Sequence, residues 1–189
     1  MRALSSIEKV RTRRLICERL RMEHVPEVSR LLRDPRVAQT LWPSAEVPTE
    51  QQVIDSTAEK ERHWSRYAFG MWLVRDRATS EMVGRGGLQW TYVASLNEVE
   101  AGWAIVPERW GEGLATEMAH AAIDVAFGPL ELHEIVAFAL PDNTASRRVM
   151  EKTGFVFDGE IVHGGQQHVL YRRRVDGAAG HASDAPPRR

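Results

Sequence analysis

From Phe69 to Val106 the pattern of apolar and polar positions changes from helical spacing to strand-like runs. Phe69 to Arg75, Met82 to Trp90 and Glu98 to Val106 are strand-like runs. Asp76-Arg77-Ala78-Thr79-Ser80 and Ala94-Ser95-Leu96-Asn97 separate them as turn material. Connectors this short predict antiparallel hairpins. Upstream, Leu15-Ile16-Cys17 reads as a short strand at which the ordered chain begins. His24 to Arg33 then carries Val25, Val28, Leu31 and Leu32 at helical spacing. Thr49-Glu50-Gln51-Gln52 reads as a capping box, in which a hydroxyl and an amide three residues apart satisfy exposed N–H groups reciprocally. It opens a polar helix to about Arg66. Downstream, Gly111-Glu112-Gly113 introduces a helix that runs to Phe127 and is closed by Gly128-Pro129. Leu114, Met118, Ala121, Ala122 and Val125 form its inward face; Glu117, His120 and Asp124 form a polar stripe. Glu134 to Leu140 is a further strand and Asn143 to Lys152 a further helix. Val156 to His163 and His168 to Val175 make a last hairpin around Gly164-Gly165. The order predicts a single mixed α/β domain.

Composition narrows the function. A chain of 189 residues fits one domain. Twenty-five Lys and Arg against 26 Asp and Glu leave a net charge of -1, so the basic field of a nucleic-acid binder is missing. Cys17 is the lone cysteine, and the seven His show no ligand spacing with one another or with it, so no metal site is expected. The apolar runs fall short of the roughly 18 residues a membrane span needs. Met1-Arg2 leads into Ser5-Ser6-Ile7-Glu8 without an apolar leader core, which points to the cytoplasm. Residues 1–11 read as an N-terminal extension and 12–175 as the domain. Residues 176–189, with Gly177, Gly180, Pro186 and Pro187 and little apolar bulk, read as a disordered tail.

The stretch richest in chemistry is Glu98 to Phe127. On its strand, Glu98, Glu100, Gly102, Ala104 and Val106 share one face, while Val99, Ala101, Trp103 and Ile105 share the other, core-like one. The first face sets two carboxylates among small neighbours. Pro107-Glu108-Arg109-Trp110 follows, then the glycines at a helix start, where unpartnered N–H groups make an anion site suited to a diphosphate. A plain tight turn accounts for the same glycines. Neither a P-loop nor a Rossmann fingerprint is present: no Gly-Lys-Ser/Thr occurs, and Thr116 stands where a third glycine would.

The combination is more specific. Trp110-Gly111-Glu112-Gly113-Leu114-Ala115-Thr116-Glu117, with Asn143-x-x-Ser146 and Glu151-Lys152-Thr153-Gly154-Phe155, closely resembles the GNAT superfamily of acyl-CoA N-acyltransferases. Within it, the chain is similar to the branch of ribosomal-protein N-terminal acetyltransferases. The likeness runs from Thr12-Arg13-Arg14-Leu15 through Asp34-Pro35 and Val83-Gly84 to Tyr171. It implies a mixed central sheet flanked by helices, with acetyl-CoA in a splay between two parallel middle strands, here Glu98–Val106 and Glu134–Leu140. The diphosphate would rest on the backbone of Arg109, Trp110, Gly111, Glu112, Gly113, Leu114 and Ala115, with Thr116 beside it. The pantetheine amides would pair with Ala104, Ile105 and Val106, whose N–H groups would also stabilise the oxyanion. Glu108 stands where the superfamily often has Gln or Arg.

The resemblance makes Glu100 the general base, through a water; otherwise it is an exposed carboxylate on a solvated strand face, twin to Glu98. An α-amine of pKa about 8 costs about 1.4 kcal/mol to neutralise at pH 7, against about 4.6 for a lysine near 10.4, so it is the easier acceptor. Asn143 would bond the pantetheine arm, or simply cap its helix. Ser146 would lie near the leaving sulfur. Many superfamily members carry a Tyr seven residues after the Asn; here it is Met150, so Ser146 or water must protonate the thiolate. Arg109, Arg147 and Arg148 are candidate partners of the CoA 3′-phosphate, or solvated cations. Trp103 looks like core, Trp42 like a wall of the acceptor pocket, and Cys17 like inert core. His163 and His168 reach the acceptor or sit on a surface hairpin. The expected partners are acetyl-CoA and an amine acceptor, most readily a peptide N-terminus, with no metal and with a homodimer left open. A small-molecule amine acetyltransferase and a non-catalytic acyl-CoA-binding module are the rivals.

Overall fold

The computed structural model describes residues 7–41 and 46–175. Eight strands form one sheet in the order β1-β2-β3-β4-β5-β6-β8-β7. They are β1 (Lys9–Arg11), β2 (Leu15–Arg19), β3 (Met71–Asp76), β4 (Met82–Val93), β5 (Leu96–Ile105), β6 (Glu134–Ala139), β7 (Val156–His163) and β8 (Gln166–Arg174). Neighbours are antiparallel except β5 and β6, which run parallel. The helices are α1 (Val25–Leu32), α2 (Pro35–Leu41), α3 (Glu50–Tyr67), α4 (Leu114–Phe127) and α5 (Thr144–Lys152).

The strand alternation sorts the core onto two faces. Trp72, Val74, Leu88, Val99, Ala101 and Ile105 pack with Leu114, Met118 and Ala122 of α4. Met71, Leu73 and Ala104 pack on the other face with Val28, Leu31, Val37 and Val53 of α1 to α3. Glycines in β4 allow the close approach this requires. A Cβ on Gly84 would run into the Ala104 carbonyl oxygen, and one on Gly86 into the Met118 sulfur.

Several boundaries differ from the pattern. The ordered chain begins before Leu15: Lys9–Arg11 of the expected N-terminal extension pairs with β2, and Ile7 is buried. Helix α2 escaped periodicity because it is short. Its start was nonetheless written in Asp34-Pro35, where the Asp34 carboxylate accepts the Arg36 N–H at 2.8 Å and proline takes the first helical position. Strand β5 starts at Leu96, because Ala94 and Ser95 alone make the turn, both at positive φ, and the ladder runs on to Val93 opposite Leu96. Likewise β8 starts at Gln166, after a turn of Gly164 and Gly165. The Thr49–Gln52 capping box forms reciprocally, at 3.2 and 2.7 Å. The expected disordered tail and Trp42 lie outside the described residues.

Gly84→Ala should cost about 1–3 kcal/mol, since the obstacle is backbone that cannot rotate away. A urea midpoint that falls at constant m-value is the expected readout; an unchanged midpoint would mean that β4 and β5 can separate.

Candidate functional site

The central observation is how little of β5 and β6 is paired. Their parallel ladder consists of Glu100 opposite Val136. Beyond it the strands diverge and a cavity of about 440 Å³ opens between β5, β6, α2 and the starts of α4 and α5. Ligands of open α/β sheets gather outside the carboxyl ends of parallel strands, and this cavity is at those ends.

Backbone direction along β5 decides which groups face the opening. The Val106 N–H donates to the Val83 carbonyl at 2.9 Å, and the Ala104 carbonyl points at Gly84. Ala104 and Val106 therefore turn their polar groups toward β4, and the intervening residues turn theirs away. Of the expected stretch Ala104, Ile105 and Val106, only Ile105 presents its N–H to the splay, joined by Trp103. Val106 does not line the cavity. The Ile105 carbonyl accepts the Trp110 indole N–H at 2.7 Å, which anchors the glycine turn to the strand end.

That turn is built as an open cradle. Gly111 and Gly113 lie at φ +81 and +77, and no atom lies within 4 Å of where a Cβ on Gly111 would stand. The Glu117 N–H, bonded to the Gly113 carbonyl, is the first to cross the helix start. The N–H groups of 111–116 have no acceptor among the described residues. Arg14, which the pattern did not single out, clamps this end of α4. It pairs with Glu117 at 2.7 Å and donates to the Glu112 carbonyl at 2.9 Å. Its second Nη lies 3.7 Å from where a Gly113 Cβ would be, so a cation stands beside the cradle. Arg109 lines the cavity, but its guanidinium already spans Asp76 at 3.0 Å and Glu112 at 2.8 Å.

The two carboxylates of β5 meet different fates. Glu98 is buried against Arg172 at 3.0 Å, and Arg172 also holds Glu134 and Asp158. Glu100 is not its exposed twin. It is half-buried at the inner end of the cavity and accepts from the Gln89 amide at 2.8 Å. Burial pushes its carboxyl above the usual range, against the opposing pull of Gln89, Lys60, Arg85 and His168.

Across the opening stands the start of α5. Asn143 caps it, accepting the Ser146 N–H at 3.0 Å while its amide donates to the Thr40 carbonyl. The Ser146 hydroxyl accepts the Trp103 indole N–H at 3.0 Å. An indole only donates, so the Ser146 hydroxyl keeps its own proton for another acceptor. Trp103 is thus not plain core: it is half-buried, lines the cavity and orients Ser146. Met150 is fully buried in the core.

Glu100, Ser146, Ala104, Ile105, Arg109, Trp110, Gly111, Gly113, Leu114, Ala115, Thr116 and Asn143 all line one cavity. Val106, Glu112 and Arg147 do not. Arg147 turns to the Pro141 carbonyl and the Tyr171 hydroxyl, whereas Arg148 and Lys152 reach the opening. His168 lines it as well, buried edge-on against Phe138 at 5.5 Å. Cys17 is buried, and its thiol is pushed up to about 12 by desolvation, then by Glu117.

The family model "Acetyltransferase (GNAT) domain" matches residues 14–156. Among curated relatives, the uncharacterized N-acetyltransferase YoaA of Bacillus subtilis (strain 168) is 33% identical over 90 residues, 48% of this chain and 50% of its own length. The chain spans about half to two thirds of the length of the first curated relatives it matches. Among solved structures, a putative GnaT-family acetyltransferase from Bordetella pertussis has a TM-score of 0.76 at 25% identity, covering 87% of this chain and 98% of that one. RimL, a ribosomal alpha-N-protein acetyltransferase in complex with coenzyme A, superposes with a TM-score of 0.70 over 90% of this chain and 100% of its own. At 19% identity it shares the fold.

The raised carboxyl of Glu100 has a consequence for stability. Its contribution is fully present below the unfolded carboxylate pKa, about 4.3, and is lost as pH rises through the folded value. Glu100→Gln has no proton to lose there. Its Tm relative to wild type should climb as pH rises above about 4 and through neutral. A difference that stays flat over that range would deny that Glu100 is a destabilised anion.

Proposed function

The chain belongs to the acetyltransferase (GNAT) domain family, and from that premise we propose that it is an acetyl-CoA-dependent N-acetyltransferase acting on a primary α-amine, such as a peptide N-terminus. One observation carries the reading: a single cavity joins the open N–H cradle, the unpaired edge of β5, Glu100 and Ser146.

The residues present fit the donor. The N–H groups of residues 111 to 116, with the Arg14 guanidinium beside Gly113, suit a diphosphate. The Trp103 and Ile105 backbone suits the amides of the pantetheine arm. Acetyl-CoA supplies an acetyl group already activated as a thioester. Glu100 takes the proton of the acceptor amine, directly or through a water, and its raised pKa brings it closer to the α-amine's own. The Ile105 N–H steadies negative charge developing on the carbonyl oxygen. As the amine nitrogen bonds the acetyl carbon and the C–S bond breaks, Ser146, oriented by the Trp103 indole, passes a proton to the departing sulfur and regains one from water. Thr40 and Leu41 of α2 wall the cavity and help exclude water.

Coenzyme A at a hundredfold excess over its Kd should stabilise the fold by about 2.7 kcal/mol. Gly113→Asp, which sets a carboxylate over the cradle, should remove most of that melting shift; equal shifts in variant and wild type would take the cradle out of the mechanism.

For turnover, Glu100→Gln should lower kcat by about 10²–10⁴ with donor affinity retained. Glu98→Gln should chiefly lower stability, because Glu98 is committed to Arg172. Ser146→Ala should be the smaller kinetic lesion, and normal kcat in it would leave water as the acid. Interchangeable kcat values for Glu98→Gln and Glu100→Gln would end the assignment of the base.

A further inference from the structure

Arg85 stands out among the buried charges. On β4 it sits opposite Ala104 of β5 and Leu73 of β3, within the apolar face covered by α1 to α3. Its Nη1 is sealed from solvent and has no hydrogen-bond partner, and no carboxylate pairs with Arg85 among the described residues. Most other buried guanidinium groups here are committed: Arg75 to Glu18 and Glu27, Arg172 to three carboxylates.

A second cation joins it. Val53, Thr57 and Trp64 are the buried positions of α3, and Lys60 falls on the same inward stripe. Its side chain is 19% exposed, and its ion pair is a loose 3.8 Å contact with the adjacent, largely exposed Glu59. Burial lowers the pKa of both groups, Arg85 to about 10; Lys60 feels Arg85 and Glu100, and Arg85 feels Glu100. Arg85 stays cationic at neutral pH.

Between Arg85 and Glu100 both strands carry glycine: the Gly70 carbonyl oxygen closes over Gly87, 2.6 Å from where its Cβ would stand, and Gly102 leaves the open space. Arg85, Gly87 and Gln89 follow one another on this face of β4, opposite Ala104, Gly102 and Glu100. A Cβ on Gly102 would meet nothing closer than a Glu100 oxygen at 3.4 Å. At the far end the Gln89 carbonyl oxygen is buried without a donor, because its amide is spent on Glu100. One end of this strip thus lacks an anion and the other lacks an N–H donor.

We infer that Arg85 and Lys60 form an anion subsite beside Glu100, and that the acceptor is a primary amine bearing a carboxylate. The amine would donate to Glu100 and to the Gln89 oxygen; the carboxylate would supply what Arg85 lacks. The same two cations disfavour a polycationic acceptor. This rests on the acetyltransferase reading and specifies its substrate. A free amino acid and a peptide with an acidic second residue offer the same chemistry.

The test compares an amino acid with its amide, and a peptide carrying aspartate second with its asparagine counterpart, by kcat/KM. The carboxylate member of at least one pair should be preferred by about tenfold to a hundredfold, and the pair showing it identifies the source. Arg85→Met should collapse that preference and, by removing an unpaired buried charge, raise the Tm of the ligand-free protein. Lys60→Met should reduce the preference in parallel, and serves if Arg85→Met fails to fold. Calorimetric binding of the N-acetylated amino acid and its amide, and of the N-acetylated peptide pair, to the protein with coenzyme A separates the two ideas. Carboxylate-selective, Arg85-dependent binding without turnover would keep the subsite and sink the transferase reading. Turnover or binding with no carboxylate selectivity in either pair, or selectivity that survives both variants, would overturn the subsite.

Discussion

Between β5 and β6 the sheet is joined at Glu100 opposite Val136 and then parts. A sheet opened in its interior has backbone donors and acceptors with no ladder to satisfy them, at a cost of about 1–3 kcal/mol for each one buried and unpaired. The opening survives because each half is zipped on its outer side: β4 pairs with β5 across ten residue pairs and β6 with β8 across six. Helix α4 then packs beneath β4 and β5, with α5 alongside it, bridging the gap that hydrogen bonds leave. The splay is therefore a binding edge held open by its flanks. It is also why the alternation of backbone direction matters so much: only Trp103 and Ile105 can offer polar groups to whatever enters.

The same economy governs the charges. Around the cradle almost every cation is matched, Arg14 by Glu117 and Arg109 by Asp76 and Glu112, which stiffens the start of α4. Beside Glu100 the balance fails. Two half-buried cations and a carboxylate pushed toward its neutral form share a region from which helices exclude much of the water. Unpaired charge in such a place lowers stability, and perturbed titratable groups of this kind cluster at functional sites.

Much of this was legible in the sequence because the signals are local. The Thr49 box, the Gly113 helix start, the Asn143 cap and the strand alternation each depend on residues within a few positions of one another, and each lies where it was expected. What pattern reading missed depends on distant partners. Arg14 meets Glu117 and Glu112 about a hundred positions on, and Trp103 meets Ser146 across the splay. Which of Arg147 and Arg148 faces the opening was illegible for a subtler reason: adjacent helix residues point about 100° apart, and no local signal distinguishes them. Val106 failed similarly, since its hydrogen-bond direction was set by where Val83 lies.

Glu98 and Glu100 show where periodicity stops being informative. Alternation puts both on one face of β5, and correctly so, but a face has no chemistry until its cross-strand neighbours are known. Glu98 lies within reach of Arg172 from β8 and becomes the centre of an ion-pair network. Two residues on, Glu100 has a neutral amide opposite it, a glycine beyond it and a cavity in front of it. A carboxylate given a guanidinium at 3.0 Å is held ionised and spent on structure. One given an amide and partial burial keeps a proton longer and holds it beside a cavity.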